Sequence, residues 1–346
     1  MTTATAAGIG GHSQSRRTIA LGSTLLLLSV LLVGLGISVG STGFDSVLKL
    51  GEDAMAQRIV WDIRLPRTLG AWLAGGLLGL AGAVAQGLFR NPLADPFLLG
   101  SASGAALGVA AALASFGTSA FATLWLARIG LTGAAFAGAV LAVLLTLQLA
   151  HGVQHTLRLL LAGVVVGVVL GAVKDLITLS SPDIIAAMQG FDLGSAGFVG
   201  WGGCAQMLVV WSVCVLAAAA MSPVLDGLSL GESTAVSLGL PLSQMRAALV
   251  AVLALATGTA VAQTGLIAFV GLASPHLVRS VVKTTHRRLL PLASLMGAVL
   301  LAAADILARW LIAPQELPVG VLTAVLGGSY LLWLMHRRTR GGLGGV

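Results

Sequence analysis

Residues 64–100 read RLPRTLGAWLAGGLLGLAGAVAQGLFRNPLADPFLLG, and the fold turns on residues 68–88 within them. These 21 positions carry no charge, and as a helix rising about 1.5 Å per residue they match the roughly 30 Å of a bilayer's hydrocarbon core. Pro66 suits the first turn of such a helix. At the far end comes Arg90-Asn91-Pro92-Leu93-Ala94-Asp95-Pro96, with two prolines four apart and Asn and Asp beside them. Those residues force a tight reversal whose backbone groups need protein partners or water, so it either lines a cavity or is a plain turn.

The same pattern recurs along the whole chain. Of 346 residues 57% are apolar and 9% charged, mean hydropathy is +0.99, and glycine occurs 46 times. A soluble domain is about one quarter charged, so this chain cannot cover a water-facing surface. The glycines suit helices that approach through small-residue faces. Apolar runs lie at 18–40, 68–88, 97–114, 129–150, 159–179, 199–221, 245–262, 266–277, 289–312 and 317–335, the eighth being short. The expectation is an all-α polytopic membrane protein of about ten transmembrane helices. Residues 18–335 form a single transmembrane domain between tails 1–17 and 336–346, with no large soluble domain. Although Arg16-Arg17 precedes the first run, that run is too long for an export signal and lacks a small-residue cleavage site, so it reads as an anchor.

Ten spans put both termini on one side. That side holds 12 of the 19 basic residues and 3 of the 12 acidic ones, so it is assigned to the cytoplasm. The net charge of +7 thus reflects orientation in a membrane and not nucleic-acid binding. Cys204 and Cys214, ten residues apart on one helix, are separated by roughly 15 Å of rise and cannot form a disulfide.

Catalytic signatures are missing. There is no phosphate-binding G-x-x-x-x-G-K-[ST] loop, no H-E-x-x-H and no paired C-x-x-C. His151 and His155 lack a third metal ligand and read as an interfacial pair. Asp305 and Arg309, four apart, read as a local ion pair. Lys174-Asp175 could mark a proton relay, but adjacent residues face apart and an interfacial position is favoured.

Three other segments are harder to dismiss. Arg64 and Arg67 sit at a helix start, where the dipole disfavours cations, and on the external side, against the charge bias. An external anion would account for both, with snorkelling to headgroups as the alternative. In 229–241, SLGESTAVSLGLP, Ser229 and Glu232 have capping-box spacing and Gly239 and Pro241 close the far end. A helix of about nine residues is too short to cross, so it should lie on the cytoplasmic surface, offering Leu230 and Leu238 to a partner or packing on its own protein. In 271–288, Pro275 should break or bend the eighth span ahead of Arg279, Lys283, His286, Arg287 and Arg288, whose charge serves topology and could also meet anionic lipid.

Together these segments resemble the FecCD-type permease family, the membrane subunits of ABC importers for ferric siderophores, cobalamin and haem. The resemblance runs over 64–335 and rests on residues 64–100, RLLLAG (158–163), LGESTAVSLGL (230–240), FVGLASPHLVR (269–279) and AADILARWLIAPQELPVGVLTAVLGG (303–328). It implies the type II ABC importer architecture, with a second permease subunit as homodimer or paralogous heterodimer, two ATP-binding subunits and an extracytoplasmic substrate-binding protein. ATP is used by the partner ATPase, and no cofactor is bound by this chain. By resemblance Arg64, Arg67 and Arg309 dock the binding protein's carboxylates. Asn91, Leu93, Thr156 and Leu157 form a cytoplasmic gate. Leu230, Gly231, Glu232, Ala235, Leu238 and Gly239, within a coupling segment at 228–241, seat in the ATPase. Gly327-Gly328-Ser329-Tyr330 and Lys283-Thr284-Thr285-His286-Arg287 depart from the family's usual Gly-x-Pro-x-Phe and Gly-x-Asp-His-Arg, and the former looks more like ferric-siderophore permeases. The implied function is import of an iron-siderophore complex across the cytoplasmic membrane, with cobalamin or haem as the alternative. An ion-coupled secondary transporter fits poorly, because mid-span charges are nearly absent. An intramembrane enzyme lacks a catalytic constellation.

Overall fold

The computed structural model describes residues 4–40, 43–44, 54–117, 125–150, 156–237, 239 and 241–342. Thirteen helices appear among them: α1 (Ala4–Ser38), α2 (Ala54–Leu88), α3 (Ser101–Phe116), α4 (Trp125–Leu149), α5 (Thr156–Thr178), α6 (Pro182–Leu193), α7 (Trp201–Ala220), α8 (Ser222–Ser229), α9 (Glu232–Ser237), α10 (Leu242–Thr264), α11 (Val270–Val281), α12 (His286–Trp310) and α13 (Val319–Gly342). A two-residue antiparallel ladder, β1 (Val39–Gly40) with β2 (Gly43–Phe44), follows α1.

The ten apolar runs become, in order, α1, α2, α3, α4, α5, α7, α10, α11, α12 and α13. Seven of these, α1, α2, α4, α5, α7, α10 and α12, are long and apolar enough to cross a bilayer. α3 and residues 319–333 of α13 are shorter apolar helices, and α11 has twelve residues. The three remaining helices, α6, α8 and α9, lie between the runs, and α6 has no counterpart in the sequence reading.

The core is built around α2, of which 89% of the apolar window is buried, while α1 (17%) and α5 (11%) leave most of theirs uncovered. α12 and α10 pack along α2, and glycines let the backbones of α12 and α2 approach closely. A Cβ on Gly75 would strike the Gly297 carbonyl, and one on Gly297 would strike the Gly75 carbonyl. Gly104 and Gly138 do the same between α3 and α4. Indole donors span the remaining gaps, with Trp72 Nε1 donating to Ser29 Oγ at 2.9 Å and Trp211 Nε1 to Ser294 Oγ at 2.7 Å. Cys204 and Cys214 are free and buried, as packing residues.

Two expectations about breaks in the spans are corrected. The second span does not open at Pro66 but at Ala54, twelve residues earlier in a 35-residue helix. Pro66 is accommodated because Val60–Arg64 take a π-helical turn just before it, loosening the register where proline lacks a donor and crowds the preceding turn. In the eighth span Pro275 lies inside a continuous α11. The interruption is upstream at 265–269, where Gly265 and Phe269 both have φ of 68°. That irregular backbone is satisfied by neighbours: Leu266 N–H donates to Phe191 O (3.0 Å), Ser195 N–H to Thr264 O (2.8 Å) and Gly320 N–H to Gly194 O (3.3 Å). Non-helical chain is tolerated at membrane depth only when buried in protein this way.

Candidate functional site

The side chains singled out in the sequence fall mainly at the two ends of the long helices. At the end assigned outside, Arg67 of α2 meets Asp305 of α12, its Nε and Nη2 each 3.2 Å from Oδ1, and its Nη1 lies 2.7 Å from Glu316 Oε2. One turn beyond Asp305, Arg309 brings Nη2 within 2.8 Å of Asp305 Oδ2, a Coulombic approach without hydrogen-bond alignment. Arg309 Nη1 donates to the carbonyls of Gly36 (3.0 Å) and Val39 (3.2 Å), and its Nη2 to Thr68 Oγ1 (3.2 Å). Arg64 Nη1 donates to Ile37 O at 3.2 Å. Two arginines therefore cap carbonyls at the C-terminal end of α1, where the helix dipole is negative.

This geometry resolves the charge anomaly differently from the expectation. Since α2 starts at Ala54, Arg64 and Arg67 are not at a helix N-terminus. Arg67 is 8% exposed and Arg309 1%, and the anions they meet are Asp305 and Glu316 of the same chain. Arg64 is the member of the trio that is partly exposed. The expected Asp305–Arg309 pair is present, and Arg67 and Glu316 join it. Separately, Lys174 Nζ lies 3.0 Å from both Asp175 Oδ1 and Asp192 Oδ2, so the adjacent pair meets, contrary to expectation, in a partly exposed cluster.

At the opposite end, α2 closes with Arg90 N–H donating to Gly87 O (3.3 Å) and Asn91 N–H to Gln86 O (3.2 Å). This closure puts Arg90 at φ 50°, a left-handed position usually held by glycine. Asn91 Oδ1 accepts from Leu93 N–H at 2.9 Å, and Asp95 Oδ1 accepts from Phe97 N–H at 2.8 Å, capping a 3-10 turn at Pro96–Leu99. Burial pushes the Asp95 carboxyl above its ordinary range, with the Phe97 bond acting the other way. Asn91 and Leu93 are exposed, as is Leu157 in the first turn of α5. Thr156 opens α5, its side chain outside the described residues, as are His151 and His155.

The stretch expected to be one helix of nine residues is split instead between the end of α8 and the six-residue α9. Ser229 ends α8, its hydroxyl donating back to Asp226 O (2.6 Å), so no capping box forms with Glu232. Gly231, at φ 113°, makes the break, and Gly239, at φ 75°, follows α9. Leu230 is exposed, Ala235 is buried, and Leu238 lies outside the described residues. Glu232 instead pairs with Arg246 of α10 at 2.5 Å. Asp226 of α8 accepts from His286 N–H (3.0 Å) and lies 2.7 Å from His286 Nδ1, at the start of α12. Sequence reasoning missed this tie and another in which Arg279 donates to Gln86 Oε1 while Gln86 Nε2 donates to Leu272 O (3.1 Å). His276 Nδ1 and Tyr330 Oη, 2.7 Å apart, join the 269–279 segment to the Gly327–Tyr330 stretch that departs from the family's usual pattern. Nearby, a 240 Å³ apolar cavity between α11, α12 and α13 falls below the roughly 300–1,000 Å³ of sites for drug-sized ligands, so it is no cargo chamber. Among the described residues no group of three His, Cys, Asp or Glu could hold a metal ion.

The profile of the FecCD transport family matches residues 24–337. The vitamin B12 import system permease protein BtuC of Salmonella paratyphi A is 38% identical over 333 residues, covering 95% of this chain and 98% of its own length. The hemin transport system permease protein HmuU of Yersinia pestis is 39% identical over 339 residues, with 95% and 98% covered. A solved structure assigned as a metal-chelate type ABC transporter in an inward-facing conformation superposes with a TM-score of 0.81 at 28% identity, covering 91% of this chain and 98% of that one. An outer end locked by internal ion pairs, a tethered pair of short helices at the other end and this full-length likeness agree: the chain belongs to the FecCD transport family, as a non-catalytic, multi-pass permease subunit of an ABC importer in the inner membrane.

Proposed function

We propose that this permease carries a metal tetrapyrrole, cobalamin or haem, and works as one of two permease subunits on two ATP-binding subunits, fed by an extracytoplasmic substrate-binding protein. The observation that carries the cargo reading is full-length likeness at 38–39% identity to permeases named for vitamin B12 and hemin. The ferric-siderophore cargo expected from Gly327-Gly328-Ser329-Tyr330 gives way to it. In vesicles holding the assembled transporter, labelled cobalamin or haemin should accumulate in an ATP-dependent manner. Accumulation of a ferric siderophore with neither tetrapyrrole would overturn this cargo.

The residue roles follow from position. Residues 18–335 act as one transmembrane unit. At its outer end Arg64 is the arginine accessible to a docking carboxylate, while Arg67 and Arg309 hold the surface beneath it in shape. Exposed ion pairs contribute about 0–1 kcal/mol each, so docking there guides encounter and orientation more than affinity. At the inner end Asn91, Leu93, Thr156 and Leu157 close the path. Residues 228–241, with Leu230 and Val236 exposed, seat on the ATPase. The Glu232–Arg246 and Asp226–His286 ties then pass its motion to α10 and α12, which pack on α2.

A further inference from the structure

We propose that α1 and the turn between α11 and α12 form a binding site for the headgroup of an anionic phospholipid. A cavity of about 770 Å³ lies between them, lined by the cations Lys283, Arg287 and Arg288 and by the hydroxyls of Ser15, Thr284 and Thr285 among others. Its level is that of lipid headgroups. The apolar run of α1 begins at residue 18 and that of α12 at residue 289, each within about a turn of residues lining the cavity, and the two helices pack side by side with Gly22 beside Leu292. Both therefore enter the bilayer at the cavity, on the side the basic residues assign to the cytoplasm.

The charge there is uncompensated. Arg67, Arg246 and Arg309 each meet a carboxylate, whereas among the described residues none stands within ion-pair distance of Lys283, Arg287 or Arg288. Orientation in the membrane needs basic residues in a cytoplasmic loop but does not need them gathered around a hydroxyl-lined cavity. Cationic and hydroxyl donors converging on one space fit a phosphodiester, which offers acceptors only. A net-anionic headgroup satisfies the site, while a zwitterionic one brings an ammonium that three cations repel. Above the cavity the surface turns apolar, with Ile19, Leu26 and Leu27 of α1 exposed where acyl chains would lie.

The test is native mass spectrometry of the full-length permease, purified in detergent and offered equal phosphatidylglycerol and phosphatidylethanolamine of matched chains. Retained lipid should be enriched about tenfold in phosphatidylglycerol. Enrichment should vanish in Lys283→Gln/Arg287→Gln/Arg288→Gln and survive in Arg158→Gln/Arg337→Gln/Arg338→Gln, which removes as many charges elsewhere on the same side. Equal loss in both would overturn the site in favour of general surface attraction. Ser15→Phe, which projects a ring into the cavity with every charge in place, should lower enrichment, and enrichment at the unmodified level there would overturn the role of the cavity. Excess ATP separates a lipid from a soluble phosphate. Phosphatidylglycerol should stay bound, and its replacement by a nucleotide adduct lost in the same variants would overturn the lipid assignment.

Discussion

Asp305 is buried between two arginines, and its partners are unequal. Arg309 lies within the same helix and is almost fully buried, whereas Arg67 is shared with Glu316, which water reaches. Removing one partner of a buried pair costs about 3–5 kcal/mol, because the remaining charge is stranded. Arg309→Ala should therefore destabilise the purified permease by about that much in thermal denaturation. Arg67→Ala should cost less, since Arg309 still faces Asp305, and Asp305→Asn combined with Arg309→Gln should recover most of the Arg309→Ala loss. Arg90 allows a test of opposite sign. A non-glycine residue in the left-handed region is strained by roughly 1–2 kcal/mol, so Arg90→Gly should stabilise the fold by about 1 kcal/mol in the same assay. At this scale only part was legible in the sequence. The Asp305–Arg309 pair follows from helical spacing, but Arg67 lies 238 residues from Asp305, and no local pattern relates them.

Between elements the decisive contacts are backbone approaches, and they explain the abundance of glycine. Gly297→Leu would drive a side chain into the Gly75 carbonyl. It should cost about 1–3 kcal/mol or more and lower the yield of folded permease, read as the monodisperse fraction on size exclusion. The coupling ties give a functional counterpart. Arg246→Ala should leave ATP hydrolysis by the assembled transporter largely intact while reducing cargo moved per ATP several-fold; an unchanged ratio would remove α10 from the route. The ten apolar runs were legible because hydropathy is local. The interruption at 265–269 and the position of α6 were not, since hydrogen bonds among Phe191, Gly194, Thr264 and Gly320 decide them. Within 229–241 a short helix was legible, but not its bounds or its partners. Glu232 has capping-box spacing from Ser229, yet its carboxylate goes to Arg246, a tertiary partner that outcompetes the local one.

As a whole molecule, the chain is a helical scaffold with an ion-pair cluster at one end and two tethered short helices at the other, and no group of three His, Cys, Asp or Glu among its described residues could hold a metal ion. Under the proposed function, a passage for a large chelate forms with a second permease subunit and its opening is driven from outside the chain. The most direct test is accumulation of labelled cobalamin or haemin in sealed proteoliposomes, measured for the permease alone and for the permease assembled with its ATPase and binding protein. ATP-dependent uphill accumulation should occur only in the assembled vesicles. Sustained uphill accumulation by the permease alone would contradict the account.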